Sequence, residues 1–397
     1  MWVERSLASR IHSASRQFPA LVLTGARQTG KTALLQRLFP KASFVPLDLP
    51  SNAAEAEQEP DRLLERFPEP ILLDEVQYAP NLFRYLKVRI DADRHRMGRY
   101  LMTGSQKFPL MRSLSESLAG RCAILELDTL SSREILDCGE IPELVKDPAR
   151  VLWRGGFPEL YRQQDLDSRL FYSSYVATYL ERDVRRSLRV ESLRDFERFL
   201  RACALRSAQL LNFTELARDV GVAASTTRDW LSVLTAGNQV SLLEPYFGSL
   251  GKRLIKTPKL YFHDTGLLCF LLGLGSPEAV TGSPFVGAVW EAFVLGQILR
   301  AKAQAGSPAG IYFWRDAHGS EVDFLIEYQG RIRLIEAKWA ESITDDKTSA
   351  RLLRVAQRIG SRVAGEHWIA CRAPRSYLLR KDPGVRLLDA FRFREWL

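Results

Sequence analysis

Eight residues near the start of the chain, Gly25-Ala26-Arg27-Gln28-Thr29-Gly30-Lys31-Thr32, have the types and spacing to grip a polyphosphate. They satisfy G-x-x-x-x-G-K-[ST] at every fixed position, between the apolar run Leu21-Val22-Leu23-Thr24 and a helical pattern that opens at Ala33. The glycines let successive backbone N–H groups point inward at phosphate oxygens. The helix that begins here turns its positive end toward the same anion. Lys31 would reach the β- and γ-phosphates of ATP, and the Thr32 hydroxyl would sit on Mg²⁺. Residues 25–33 are thus the candidate nucleotide-binding segment.

A second piece of chemistry lies about 40 residues on, in Ile71-Leu72-Leu73-Asp74-Glu75. An apolar run ending in two acids reads as a buried parallel strand that delivers carboxylates where ligands sit in open α/β sheets. Asp74 would hold Mg²⁺ through water, and Glu75 would orient and polarise the attacking water. Tyr100-Leu101-Met102-Thr103-Gly104-Ser105 is a further strand ending in small polar residues. Ser105 and Thr103 are candidates to contact the γ-phosphate or the water, with turn chemistry as the alternative.

A third set appears in the last quarter. The strands 321–327 and 331–338 carry Asp323, Glu336 and Lys338, and the helix over 285–303 carries Glu291. Alternation places Glu336 and Lys338 on one face of their strand, where Asp323 of the neighbouring strand can meet them. The carboxylates of Asp323 and Glu336 would bind Mg²⁺, with Glu291 as a further acid. Lys338 would position or activate water against a phosphodiester.

The elements that must position these residues follow from pattern. A helix is expected over 2–17 with Trp2, Leu7 and Ile11 on one side, and strands at 44–48, 71–75, 100–106 and 123–127. Acidic helix 51–67 and helix 109–118 complete the first part. Ser131 begins a helical region, and Gly155-Gly156-Phe157-Pro158 interrupts it as a loop between two helices. Residues 168–206 form an arginine-rich helical stretch whose interleaved acids suit a solvated face. Residues 213–244 show a helix-turn-helix pattern, with Ser225, Thr226 and Arg228 facing outward and a wing from 240–246 and 259–262. Asp264 reads as a turn or helix cap. The final domain reads α-β-β-β-α-β, with a hairpin at 311–327, a helix at 346–359 and a strand at 367–371.

The chain has 397 residues, 46% hydrophobic and 26% charged, an ordinary globular composition spread over several domains. A net charge of +9 favours a polyanionic partner, DNA among them. Five dispersed cysteines without a C-x-x-C pair suit a reducing compartment, and a cytoplasmic location is expected. No run reaches the roughly 18 apolar residues that a membrane span needs, so no membrane partner is expected.

The order of parts in the first domain resembles the AAA+ ATPases. That resemblance implies a parallel sheet with helices on both faces, then a helical lid and a winged helix. It also makes Arg121, just before the fifth strand, the candidate arginine finger for a neighbouring subunit of a homo-oligomer. Arg112 competes for that role, and a helix-end arginine offsetting the dipole is the alternative. The last domain resembles the PD-(D/E)xK nuclease superfamily, with a restriction-endonuclease-like α/β core and Val322 in place of the motif's proline. End to end the chain is similar to predicted prokaryotic ATPases with such a C-terminal domain. The expected segments are 1–130 ATPase, 131–206 lid, 207–280 winged helix and 281–397 nuclease-like. The expected function is an ATP-hydrolysing, DNA-directed protein whose nucleotide state controls Mg²⁺-dependent cutting. The alternative is a non-cutting switch that docks nucleic acid or protein.

Overall fold

The apolar runs of the first part become one parallel sheet in the computed structural model, which describes residues 2–105, 117–139, 147–179, 193–246, 257–316, 318–343 and 347–397. The strands are β1 (Ala20–Thr24), β2 (Ser43–Pro46), β3 (Ile71–Asp74), β4 (Tyr100–Gly104) and β5 (Cys122–Glu126), in the order β2-β3-β4-β1-β5. Parallel pairing brings the C-terminal ends of β1, β3 and β4 to one edge, as the pairs Thr24↔Gly104 and Leu73↔Met102 show. Alternation sorts the side chains into two layers. Val22, Leu73 and Met102 pack with the helix Leu82–Ala92, while Leu21, Leu23 and Leu101 pack with Leu34 and Leu35 on the opposite face.

Two expectations change here. Residues 51–67 are two helices, Pro50–Gln58 and Pro60–Arg66, because Pro60 has no N–H to donate and its ring blocks the preceding turn. The first helix, α1, spans only Ala8–Ser15. Trp2 lies outside it under the Arg37 guanidinium, 4.9 Å from the ring centre, although Leu7 and Ile11 are buried as expected. Most of the helix at 109–118, and Arg112 with it, lies outside the described residues.

The middle is helical. Ser131 caps Ser132–Asp137, where a helical region is expected to begin, and a reciprocal Glu134 contact makes it a capping box. The arginine-rich stretch contributes Ser168–Tyr179 and Leu193–Ala204, while 180–192 lies outside the described residues. Helices Phe213–Val220 and Ala224–Ala236 meet at Gly221, and β7 (Val240–Leu243) pairs antiparallel with β8 (Lys259–Phe262). A short β6 (Gln209–Leu210) flanks β8 on its other side. Trp230, Leu231 and Leu234 are buried, and Asp264 accepts from Leu267 N–H as the cap of Thr265–Leu271.

The last sheet has the order β13-β12-β11-β10-β9, from β9 (Gly310–Arg315), β10 (Glu321–Tyr328), β11 (Arg331–Ala337), β12 (His367–Leu378) and β13 (Val385–Asp389). β9, β10 and β11 are antiparallel, and β11, β12 and β13 run parallel. The strand β13 and the second half of β12 have no counterpart in the sequence reading. One hydrophobic cluster draws on residues from Val3 to Trp396, with Leu130, Phe157, Leu268 and Trp290 among them. No helix among the described residues is long and apolar enough to cross a membrane.

Candidate functional site

The loop after β1 is shaped by its glycines. Gly25 has φ +144°, and a Cβ there would stand 2.1 Å from the Leu127 carbonyl oxygen. Gly30, at φ +87°, precedes the helix α2 (Lys31–Leu38) and meets no heavy atom within 4 Å of the place of a Cβ. The Lys31 side chain is buried, and its Nζ donates to the carbonyls of Gly25 at 3.0 Å and Ala26 at 2.7 Å. The ammonium is therefore held inside the loop that it would serve.

The two neighbouring strands complete the arrangement. Asp74, at the end of β3, accepts from the Thr32 hydroxyl and from the Thr103 hydroxyl. Burial pushes the Asp74 carboxyl above its ordinary value, the two hydroxyls oppose this, and the charges of Glu75 and Asp48 add to it. A partly buried carboxylate in this position gains from a cation, so Thr32 and Asp74 fit a bound Mg²⁺. Glu75 adopts the left-handed φ of +57°, and its N–H donates to Thr103 Oγ1 at 2.9 Å. Its carboxylate accepts from Ser105 Oγ at 3.0 Å and from Gln77. Thr103 is thus a joint between the two acids, and Ser105 is a partner of the candidate base.

A cavity of about 600 Å³ opens beside the loop. It is lined by Gln28, Thr29 and Gly30 from the loop, by Ala33 of α2, by Trp2 and Arg5 before the loop, and by Phe171 from the helical region. Its size suits a nucleotide base and sugar. Arg5 carries a role that its sequence gives no sign of. Its guanidinium donates to the Thr29 carbonyl at 2.8 Å and to the Asp128 carbonyl at 2.5 Å, and pairs with Glu134 at 3.3 Å. The Asp128 carboxylate faces His263 Nδ1 at 3.1 Å, and His263 Nε2 lies 2.6 Å from Ser241 Oγ. Burial works against the Asp128 anion, but His263 first and then Arg300 and Arg5 hold its pKa below the usual carboxylate range. Arg300, from the helix Val286–Ala305, donates to both oxygens of Thr129. Arg121 is not part of this group. It sits at the opposite edge of the sheet, beside the pair Ala20↔Cys122, and binds Asp91 at 2.6 and 2.9 Å.

In the last domain the register Phe324↔Ile335 sets Asp323 across from Glu336. Asp323 Oδ2 accepts from Ala337 N–H at 2.8 Å. Glu336 Oε1 pairs with Lys338 at 2.7 Å and with Arg351. Burial and then the Asp323 charge push Glu336 up to about 7. Glu291 faces Lys259 Nζ at 3.1 Å and accepts from the Tyr261 hydroxyl. The expected acids therefore do lie together, but each pairs with a protein donor. Among the described residues, no group of three or more His, Cys, Asp or Glu is placed to hold a metal ion. In this arrangement the set does not fit a divalent cation.

Residues 17–136 match the AAA domain family, which makes this part of the chain a P-loop ATPase domain. Residues 145–278 and 286–374 match two domains of unknown function, DUF8612 and DUF4143. Two mycobacterial proteins, the uncharacterized proteins Mb2031c of Mycobacterium bovis and Rv2008c of Mycobacterium tuberculosis, are each 34% identical to the chain over 370 residues. Each alignment covers 91% of this chain and 80% of the relative. Among solved structures, the Walker-type ATPase PABY2304 of Pyrococcus abyssi aligns with 68% of this chain and 96% of its own, at 16% identity and a TM-score of 0.45. The RuvB Holliday junction branch migration motor of Thermotoga maritima aligns with 60% and 89%, at 12% identity and a TM-score of 0.32.

Proposed function

The chain belongs to the family of these two mycobacterial proteins, and we propose that it is an ATP-driven switch that acts on DNA. The contact set of Arg5 carries the reading. One buried guanidinium bonds the phosphate loop at Thr29, the segment after β5 at Asp128, and Glu134. Asp128 in turn holds His263, at the end of β8. A change of loop conformation on nucleotide binding thereby reaches the helix-turn-helix region through three side chains.

Lys31 would leave the loop carbonyls for the phosphates, and residues 25–30 would supply N–H donors. Mg²⁺, held by Thr32 and Asp74, would neutralise phosphate charge. Glu75, fixed by Ser105, would orient water and take its proton. Arg121 lies too far from its own loop to act there, so its role as a finger requires a second copy in a homo-oligomer. Exposed Ser225 and Arg228 on Ala224–Ala236, with the +9 charge, support a DNA contact by a winged helix in a cytoplasmic protein.

The test is DNA affinity measured with ADP and with a non-hydrolysable ATP analogue, over a range of salt. The two nucleotides should give affinities at least several-fold apart, each falling steeply with salt. Equal affinities with a flat salt profile would remove DNA from the mechanism. The cutting alternative, with Asp323, Glu336 and Glu291 on Mg²⁺ and Lys338 at the water, stands second because protein cations already occupy Glu291 and Glu336, and Asp323 is bonded to the Ala337 N–H. Plasmid nicking by the parent that is lost in Asp323→Ala and Lys338→Ala would promote it.

A further inference from the structure

Lys259 enters the last domain's acidic cluster from outside it. It belongs to β8, and its side chain is 2% exposed. Nζ bonds Glu291 Oε1 at 3.1 Å and also pairs with Glu321. Tyr261, two residues along the same strand and so on the same face, donates to the same Glu291 oxygen. The cluster holds four acids, Glu291, Glu321, Asp323 and Glu336, and four bases, Lys259, Arg315, Lys338 and Arg351. Its formal charge is therefore already zero. A divalent ion would add two uncompensated charges to a largely buried site, which the low dielectric opposes. One acceptor nevertheless stands idle. Glu336 is 1% exposed, and its Oε2 is buried with no hydrogen-bond partner among the described residues.

We propose that Lys259 is a built-in counter-ion that stands where a divalent metal would, latching β8 to the last sheet. The cluster accepts a hard divalent cation only once this lysine is removed. Its ammonium offers donors to the same carboxylate oxygens that such an ion would bind. The lysine is also the one base of the four that comes from the helix-turn-helix region rather than from the last domain. The latch goes beyond the nucleotide reading and does not depend on it.

The experiment is Mn²⁺ titration of the nucleotide-free full-length protein, followed by the EPR signal of free Mn²⁺ and by thermal melting. Parent and Asp323→Asn should give superimposable titrations. Lys259→Met should gain a single Mn²⁺ site, lose it again when combined with Asp323→Asn, and melt at a higher temperature when Mn²⁺ is present. Lys259→Arg, which keeps the cation, should titrate like the parent. A site in the parent that Asp323→Asn abolishes would overturn the proposal, as would a cooperatively melting Lys259→Met that gains none. If Lys259→Met does not melt cooperatively, the parent and Asp323→Asn comparison decides alone. Nucleotide is absent throughout, so a failure of ATP binding leaves this result readable.

Discussion

The Thr32 hydroxyl donates to Asp74 Oδ1 at 2.6 Å, and Thr103 donates to the same oxygen at 2.5 Å. The last residue of one strand is thereby tied to the first turn of α2 and to the strand beside it. An amide oxygen would accept the same two bonds. Asp74→Asn should therefore keep the fold and its melting temperature but lose the charge that favours Mg²⁺. Nucleotide affinity with and without Mg²⁺ should converge in the variant, with Mg²⁺ dependence reduced by about 10–100-fold.

Lys31 holds two carbonyls of its own loop, so its removal takes away both a loop tether and the phosphate ligand. Lys31→Ala should abolish adenine-nucleotide binding by calorimetry. The variant should stay folded, with a stability loss of about 1–2 kcal/mol for the two lost bonds. Heat of binding close to the parent's would remove Lys31 from the site.

Glu75 meets Ser105 and Gln77, and neither contact needs a full carboxylate. Glu75→Gln should bind ATP as the parent does and lose turnover by about 10²–10⁴-fold. Steady-state phosphate release measures this directly. Turnover near the parent rate would mean that another group handles the water.

Arg5 and Glu134 form an ion pair with both side chains 6% exposed. Burial works against the Glu134 anion, and Arg5 holds it below the ordinary carboxylate value. Removing one partner leaves the other charge stranded, at a cost of about 3–5 kcal/mol. Arg5→Ala should therefore lower the urea midpoint markedly, and Arg5→Ala with Glu134→Gln should recover part of the loss. DNA affinity in the double variant should no longer distinguish ADP from the ATP analogue.

His367 is 3% exposed, and burial first, then the Arg333 charge, pushes its imidazolium down to about 4. The folded value lies below the unfolded 6.5, so the unfolded chain takes up the proton first. Stability is full above about pH 6.5 and declines as pH falls toward 4. Between pH 7 and 4.5 the parent should lose about 2–3 kcal/mol more than His367→Gln in urea unfolding.

Much of the nucleotide end is legible in sequence because its chemistry is local. Residues 25–30 form a contiguous turn that Lys31 and Thr32 continue as a helix, and Asp74 ends, with Glu75 next to it, a strand whose burial its own apolar residues declare. Arg5 is opaque because its partners are 24 to 129 positions away and two of them are backbone carbonyls that any residue could offer. The same holds for Lys259, whose partners Glu291 and Glu321 lie on elements that only tertiary packing brings near. Pro60, by contrast, could have been read as a break, since a proline within a helical pattern ends or kinks the helix. The strand β13 is short and follows the exposed turn 380–384, so no long apolar run announces it.

Gln297 and Arg300, far along the chain, reach back to Ser132 and Thr129. Severing the polypeptide at residue 136, where its likeness to AAA domains stops, would strip those partners away. Leu130 and Ile135 would lose the apolar neighbours that now cover them. A seam of resemblance is thus not a seam of folding. Anyone preparing the N-terminal portion for study must bring the helix Val286–Ala305 along with it.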